Sequence, residues 1–277
     1  MRRKAEDAKH TFFSIQEAIN HATTMPRDTR NTTWIKDWSG PKDFLQKVLN
    51  ADAFPAEEDA MEKVRAEVFS TLQTSMQVER VKEYANFGNP RMLELSCGNI
   101  PTGFSRRVSR RISSDTKKVK IFSAWSFSAG VEPEEIRYKT AASLALREVL
   151  EARGIQSEIW STGHMQSCYI PSGSWTGVCR IVGPGEHILT RDLAAVASPA
   201  WFRMLGFTLQ ETGGSPNPGY GFPTRDYAEV VKYMQEEGTL LEGDLVIMPP
   251  SGHLFDRMNS ASKCKEWIEA EVARVSA

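Results

Sequence analysis

The apolar positions follow a helical period through the first ninety residues and then switch to short β-like runs separated by helices. Ser14 and Glu17 form a capping box, and Ala18, Ile19 and Ala22 continue it as a short helix that stops before Pro26. Phe44, Leu45, Val48 and Leu49 repeat at helical spacing after Pro41. Met61, Val64, Val68, Leu72, Met76 and Val81 recur every three to five residues and predict the longest helix, over 56–84. Residues 1–11 are charged and are expected to fray. Trp34 and Trp38 sit in an irregular polar stretch and are expected to fold back on the core, given the area a tryptophan can bury. Residues 1–90 therefore read as an N-terminal helical region.

Residues 91–277 read as an α/β domain, and 119–160 is the stretch where all local signals agree. Val119 to Ala124 is a strand and Trp125 to Gly130 a polar loop. Pro133 opens a helix whose first turn carries Glu132, Glu134 and Glu135, the charge its positive end favours. That helix runs to Arg153, Gly154 turns the chain, and Ile155 to Trp160 forms a second strand. Met92 to Cys97 alternates as an edge strand would. Trp175 to Val182 is a further strand, closed by Gly183-Pro-Gly185. Helices are predicted from Thr190, from Pro199, from Thr224 (with Tyr227, Val230, Val231 and Met234 as its apolar face) and over Ser260 to Val275. A short strand spans Gly243 to Met248. Residues 212–223 are rich in Gly and Pro and read as a long loop or lid. This alternation predicts a mainly parallel sheet with helices on both faces. Ligands of such sheets gather at the carboxyl ends of the strands, where loops 124–130, 183–192 and 249–253 are expected to meet.

Composition narrows the picture without changing it. Of 277 residues 40% are hydrophobic and 25% charged, with net charge −1, so no global field draws the chain to polyanions. One local run departs from this balance. Arg106, Arg107, Arg110, Arg111, Lys117, Lys118 and Lys120 stand against Asp115 alone, seven cations less one carboxylate, or +6. Such a run is either a solvated segment feeding the first core strand or a phosphate-binding patch, in which counterion release drives nucleic-acid affinity. Cys97, Cys168, Cys179 and Cys264 form no C-x-x-C pair and read as free thiols. The N-terminus lacks the apolar core of a signal peptide, and no stretch reaches about 20 apolar residues. A cytoplasmic location without a membrane partner is expected.

Ala124-Trp-Ser-Phe-Ser128, Thr190 and Pro250-Ser251-Gly252 carry a family resemblance. Residues 118–255 resemble a von Willebrand factor A-type domain, in which the first strand ends in Asp-x-Ser-x-Ser. In that family a Thr from a second loop and a later Asp complete a magnesium site, and partners dock there. Ser126 and Ser128 are in register here and Thr190 stands at the second-loop position, but Ala124 and Ser251 replace the two aspartates. Three neutral hydroxyls are a poor cage for a hard divalent ion, so neither metal nor other cofactor is expected. Glu186 and Asp192 are the second-loop carboxylates that could stand in. The resemblance implies a metal-free partner-binding face made by Trp125, Ser126, Phe127, Ser128 and Thr190. The 119–160 unit is also similar to uncharacterised proteins of tailed bacteriophages, which implies a role in viral transcription or replication in the host cytoplasm.

The chain has no G-x-S-x-G, no P-loop and no H-E-x-x-H. His187 and His253 share predicted strand-end loops with Ser126 and Ser128, but no orienting acid or oxyanion element accompanies them. A non-enzymatic protein is therefore expected. Two function classes remain open. One is a binder of single-stranded nucleic acid through residues 106–120, with aromatic stacking. The other is a protein-interaction module acting on a partner such as a polymerase, or on a second copy of the chain.

Overall fold

The computed structural model describes residues 8–24, 47–48, 56, 58–72, 118–124, 131–166, 174–188, 190–198, 201–206, 209, 222–223, 227–249 and 258–276. They form β1 (Ala8–Phe12), α1 (Ile15–Thr24), α2 (58–72), β2 (Val119–Ala124), α3 (Pro133–Ala152), β3 (Ser157–Gln166) and β4 (Ser174–Val182). After these come α4 (Thr190–Ala197), a π-helical segment (Trp201–Gly206), β5 (Phe222–Pro223), α5 (Ala228–Glu236), β6 (Leu245–Ile247) and α6 (Ala261–Ser276). The sheet order is β1-β4-β3-β2-β6, with β5 pairing the far end of β3. β1 with β4, β2 with β3, and β2 with β6 are parallel, while β3 runs antiparallel to β4 and β5.

The two-residue period of β2 splits the core into two layers. Val119 and Ile121 join Ile159 and Ile247 against Met61, Val64 and Val68 of α2, the buried side of α3, and Cys264, Ile268 and Val272 of α6. Phe122, Trp160 and Val178 face the other way, onto Val230, Tyr233 and Met234 of α5. Helices thus cover both faces, as the alternation of strand and helix predicts. The caps are local. Ser14 Oγ accepts from the Glu17 N–H at 3.1 Å, and Glu17 Oε2 accepts from the Phe13 N–H at 2.8 Å. At the end of α3 the N–H groups of Gly154 and Ile155 donate back to Glu151 and Leu150. Gly154 has φ 81°, a left-handed conformation that favours glycine.

Two expectations change. The N-terminal region is not a separate helical unit: β1 is an edge strand of the same sheet, α1 packs on β4, and α2 lies in the main core. Among the described side chains of β1, Phe12 is the one buried apolar residue, so pairing with β4 makes the strand where its own pattern does not. The second change is the direction of β4. β3 continues past Trp160 to Gln166, which leaves residues 167–173 to reach β4. Seven residues suit an antiparallel return, whereas a parallel crossover needs a dozen or more. Trp34, Trp38, the strand at 92–97 and most of 212–223 lie outside the described residues, as does the part of the predicted 56–84 helix beyond residue 72.

Candidate functional site

Strand directions define two ends of the sheet. β2, β3 and β6 begin at the end where β1 and β4 finish; Ala124 and the start of α3 lie at the other. Arg147, late in α3, shows how far apart the ends are. Its guanidinium donates to the carbonyls of Gly183 and Glu186 at 2.8 Å each and pairs with Glu151 at 2.8 Å. Arg147 is about 21 Å along the helix axis from Pro133, next to which the 124–130 loop arrives. The turn at 183–188 therefore lies at the opposite end of the sheet from Ala124, while residues 125–130 and 250–253 of the other two loops lie outside the described residues. His187 lies in that turn, at the opposite end of the sheet from the end of β2. Thr190 starts α4 just beyond the same turn. Trp125, Ser126, Phe127, Ser128 and His253 lie outside the described residues.

The end where β1 and β4 finish carries a cleft of about 350 Å3. Phe13, Gln16, Arg180, Ile181, Glu186 and Asp192 are among its lining residues, with Val48 and Ile19 contributing apolar surface. This is the carboxyl end of β1 and β4 and the amino end of β2, β3 and β6. The strands position the lining directly. Phe12 pairs with Cys179, so Phe13 and Arg180 follow side by side. Phe13 is 51% exposed, yet its N–H is held by Glu17 and its ring meets Trp160 edge-on at 6.1 Å. Glu186 Oε2 accepts from the Gly183 N–H at 2.7 Å, and its Oε1 lies 3.7 Å from Arg180. The carboxylates Glu186 and Asp192, noted above as stand-in metal ligands, thus share one cleft with a cation. Among the described residues no three His, Cys, Asp or Glu side chains converge on a metal position.

The basic run divides. Arg106, Arg107, Arg110, Arg111 and Lys117 lie outside the described residues. Lys118 is half-buried, and its N–H donates to Asp244 Oδ1 at 3.3 Å where the chain passes into β2. Lys120 is buried and corrects the expectation of a free phosphate contact: its Nζ sits 2.8 Å from Glu158 Oε2 and 5.3 Å from the Trp160 ring centroid. The strand's alternation turns Lys120 toward α5, away from solvent. Burial alone would raise the Glu158 carboxyl, but hydrogen bonds from Lys120 and from Trp160 Nε1, with the Lys120 charge, hold it below the usual carboxylate range.

His10, Cys179 and Cys264 are three further titratable groups that burial shifts. His10 accepts from Trp175 Nε1 at 3.2 Å, and burial, then the neighbouring His21, push it down to about 4. Burial pushes the Cys264 thiol up to about 12 and raises Cys179 further, so neither is a nucleophile. Phe13 and Arg180 were missed by the sequence reading. A Phe directly before a capping box usually staples onto its own helix, and nothing local says that this ring stays open.

The architecture defines a two-faced α/β protein with an amphipathic cleft at one end of its sheet. The chain belongs to a family described as a domain of unknown function (DUF7192), whose model matches residues 2–270. No curated protein and no solved structure matches it. No helix among the described residues is long and apolar enough to cross a membrane.

Proposed function

We propose that the protein is a non-enzymatic binder of single-stranded nucleic acid, with residues 106–118 as the phosphate-contacting segment. One observation carries this reading. The run passes into β2 at Lys118, at the sheet end that also holds the cleft with Phe13 and Arg180, two strand positions or about 10 Å across from the end of β4. A cationic run entering a sheet at the end that carries an open aromatic ring offers what a sequence-tolerant strand binder needs. The similarity to tailed-phage proteins points to viral transcription or replication as the setting.

The test is fluorescence anisotropy with labelled single-stranded oligonucleotides across a salt series. Binding should weaken linearly in log salt, and Arg106/Arg107/Arg110/Arg111→Ala should reduce the slope by about 3, at about 0.7 per lost phosphate contact on a single strand. Salt-independent binding, or an unchanged slope in the variant, refutes the reading. If instead a polymerase subunit is retained by the wild-type chain with no oligonucleotide bound, the protein-interaction reading replaces it.

A further inference from the structure

We propose that His10 is an acid-sensitive latch: neutral, it docks β1 and α1 onto the sheet, and protonated, it releases them. The hydrogen bond that holds it has a fixed direction. An indole N–H can only donate, and Trp175 Nε1 lies 3.2 Å from His10 Nδ1, so that nitrogen must keep its lone pair. The indole lies flat over Gly177, the residue paired with His10 across the strands, where any Cβ would overlap the ring. A proton on Nδ1 sets two N–H donors against each other. His21 of α1 adds to the conflict. Its ring centroid is 5.5 Å from that of His10, and its Nε2 is buried with no hydrogen-bond partner among the described residues. Burial first, then the His21 charge, push His10 down to about 4 from the ordinary 6.5.

The charged groups near the latch sit on known elements. From α1 come His21 and Glu17, whose Oε2 is engaged by the Phe13 N–H. Arg180 is the charged residue of β4, on the opposite face of the strand from Gly177, and the buried Cys179 thiol stays neutral. On the other face of β1, Lys9 pairs with Glu236 of α5 at 3.1 Å, and Thr11 Oγ1 bonds the Tyr233 hydroxyl at 2.6 Å. The Lys9–Glu236 pair is half-exposed and screened, so it is a weak second hold. Above about pH 6.5 the docked and released forms are both neutral, and pH does not favour release. Between 6.5 and 4 the released form takes the proton first, so release becomes easier as pH falls. β1 pairs with β4 alone among the described strands, so release leaves β4 as the sheet edge. It also takes Phe13, Ser14, Ile15, Gln16 and Ile19 out of the cleft wall.

The experiment is amide hydrogen exchange on the full chain, read by mass spectrometry from about pH 7 to about pH 4.5 and corrected for intrinsic exchange. The opening equilibrium of residues 8–24 should rise about tenfold over that range, while α6 keeps its protection. His10→Asn places an amide oxygen near the position of Nδ1 and takes no proton. It should stay docked at neutral pH, and its rise should shrink to about twofold or less. His10→Phe keeps a ring against Phe12 but offers Trp175 no acceptor. It should open about fivefold more than wild type at neutral pH, with an equally flat pH course. Glu236→Gln should leave the wild-type rise in place. An undiminished rise in His10→Asn, loss of the rise in Glu236→Gln, or loss of protection in 8–24 and α6 together overturns the latch. Should His10→Asn fail to fold, an undiminished rise in His10→Phe overturns it equally.

Discussion

Lys120→Met removes the cation that two buried carboxylates share. Lys120 and Glu158 side chains are 4% and 7% exposed, their charged atoms are 2.8 Å apart, and Asp244 lies 4.0 Å from the same Nζ. Asp244 keeps the N–H groups of Lys118 and Leu241, so it is less exposed to the loss than Glu158, which keeps the hydrogen bond from Trp160 Nε1. Breaking a buried pair from one side costs about 3–5 kcal/mol, because a charge is left without a counter-charge. In a chain of this size that lowers Tm by roughly 6–20 °C, at about 2–4 °C per kcal/mol. The double variant Lys120→Met/Glu158→Gln removes both charges and retains an amide oxygen for Trp160. It should regain most of the loss, giving a coupling energy of about 2 kcal/mol or more in a double-mutant cycle read by urea unfolding at pH 7. A single-variant cost below about 1 kcal/mol, or strict additivity, refutes the account of this pair. The pH dependence supplies a second readout. The folded Glu158 carboxyl lies below its unfolded value, so its contribution is present above the unfolded pKa and disappears as pH falls through the folded one. Lys120→Met should flatten that acid loss.

Three further outcomes follow from the packing. His10 is held near 4, below its unfolded value, so the folded state resists protonation. Stability should fall by about 1–2 kcal/mol, after discounting for solvent screening, as pH drops from 6.5 toward 4, and less so in His10→Leu; a melt series in which the two track together refutes it. Arg147→Leu should cost about 2–4 kcal/mol by removing the guanidinium that binds the Gly183 and Glu186 carbonyls and the Glu151 carboxylate, with faster amide hydrogen exchange across 183–188. A Cβ on Gly177 would run into the buried Trp175 ring, so Gly177→Ala should destabilise by about 1–3 kcal/mol in thermal unfolding.

The legible part of the candidate site was its chemistry, and the illegible part was its assembly. Glu186 and Asp192 stood out as loop carboxylates, and the Ser14–Glu17 box could be read residue by residue. Nothing in either stretch says that they line one cleft, because that follows from the pairing of Phe12 with Cys179 across 167 residues of chain. Lys120 shows the converse. In the chain it belongs to a basic run, and only the alternation of β2 against a buried Glu158 turns it inward.

The sequence by itself determined the elements whose information is local. These are α1 with its capping box, the β2–α3–β3 unit with its proline start and glycine stop, and the alternation that covers both faces of a sheet. Caps, turns and periodicity act over a few residues, so they survive without knowledge of the rest. Tertiary structure decided three things: the direction of β4, the recruitment of Ala8–Phe12 as an edge strand, and the end of the sheet on which the cleft opens. Strand pairing is a contact between distant segments, stabilised by the partner rather than by the segment, so no window of sequence contains it.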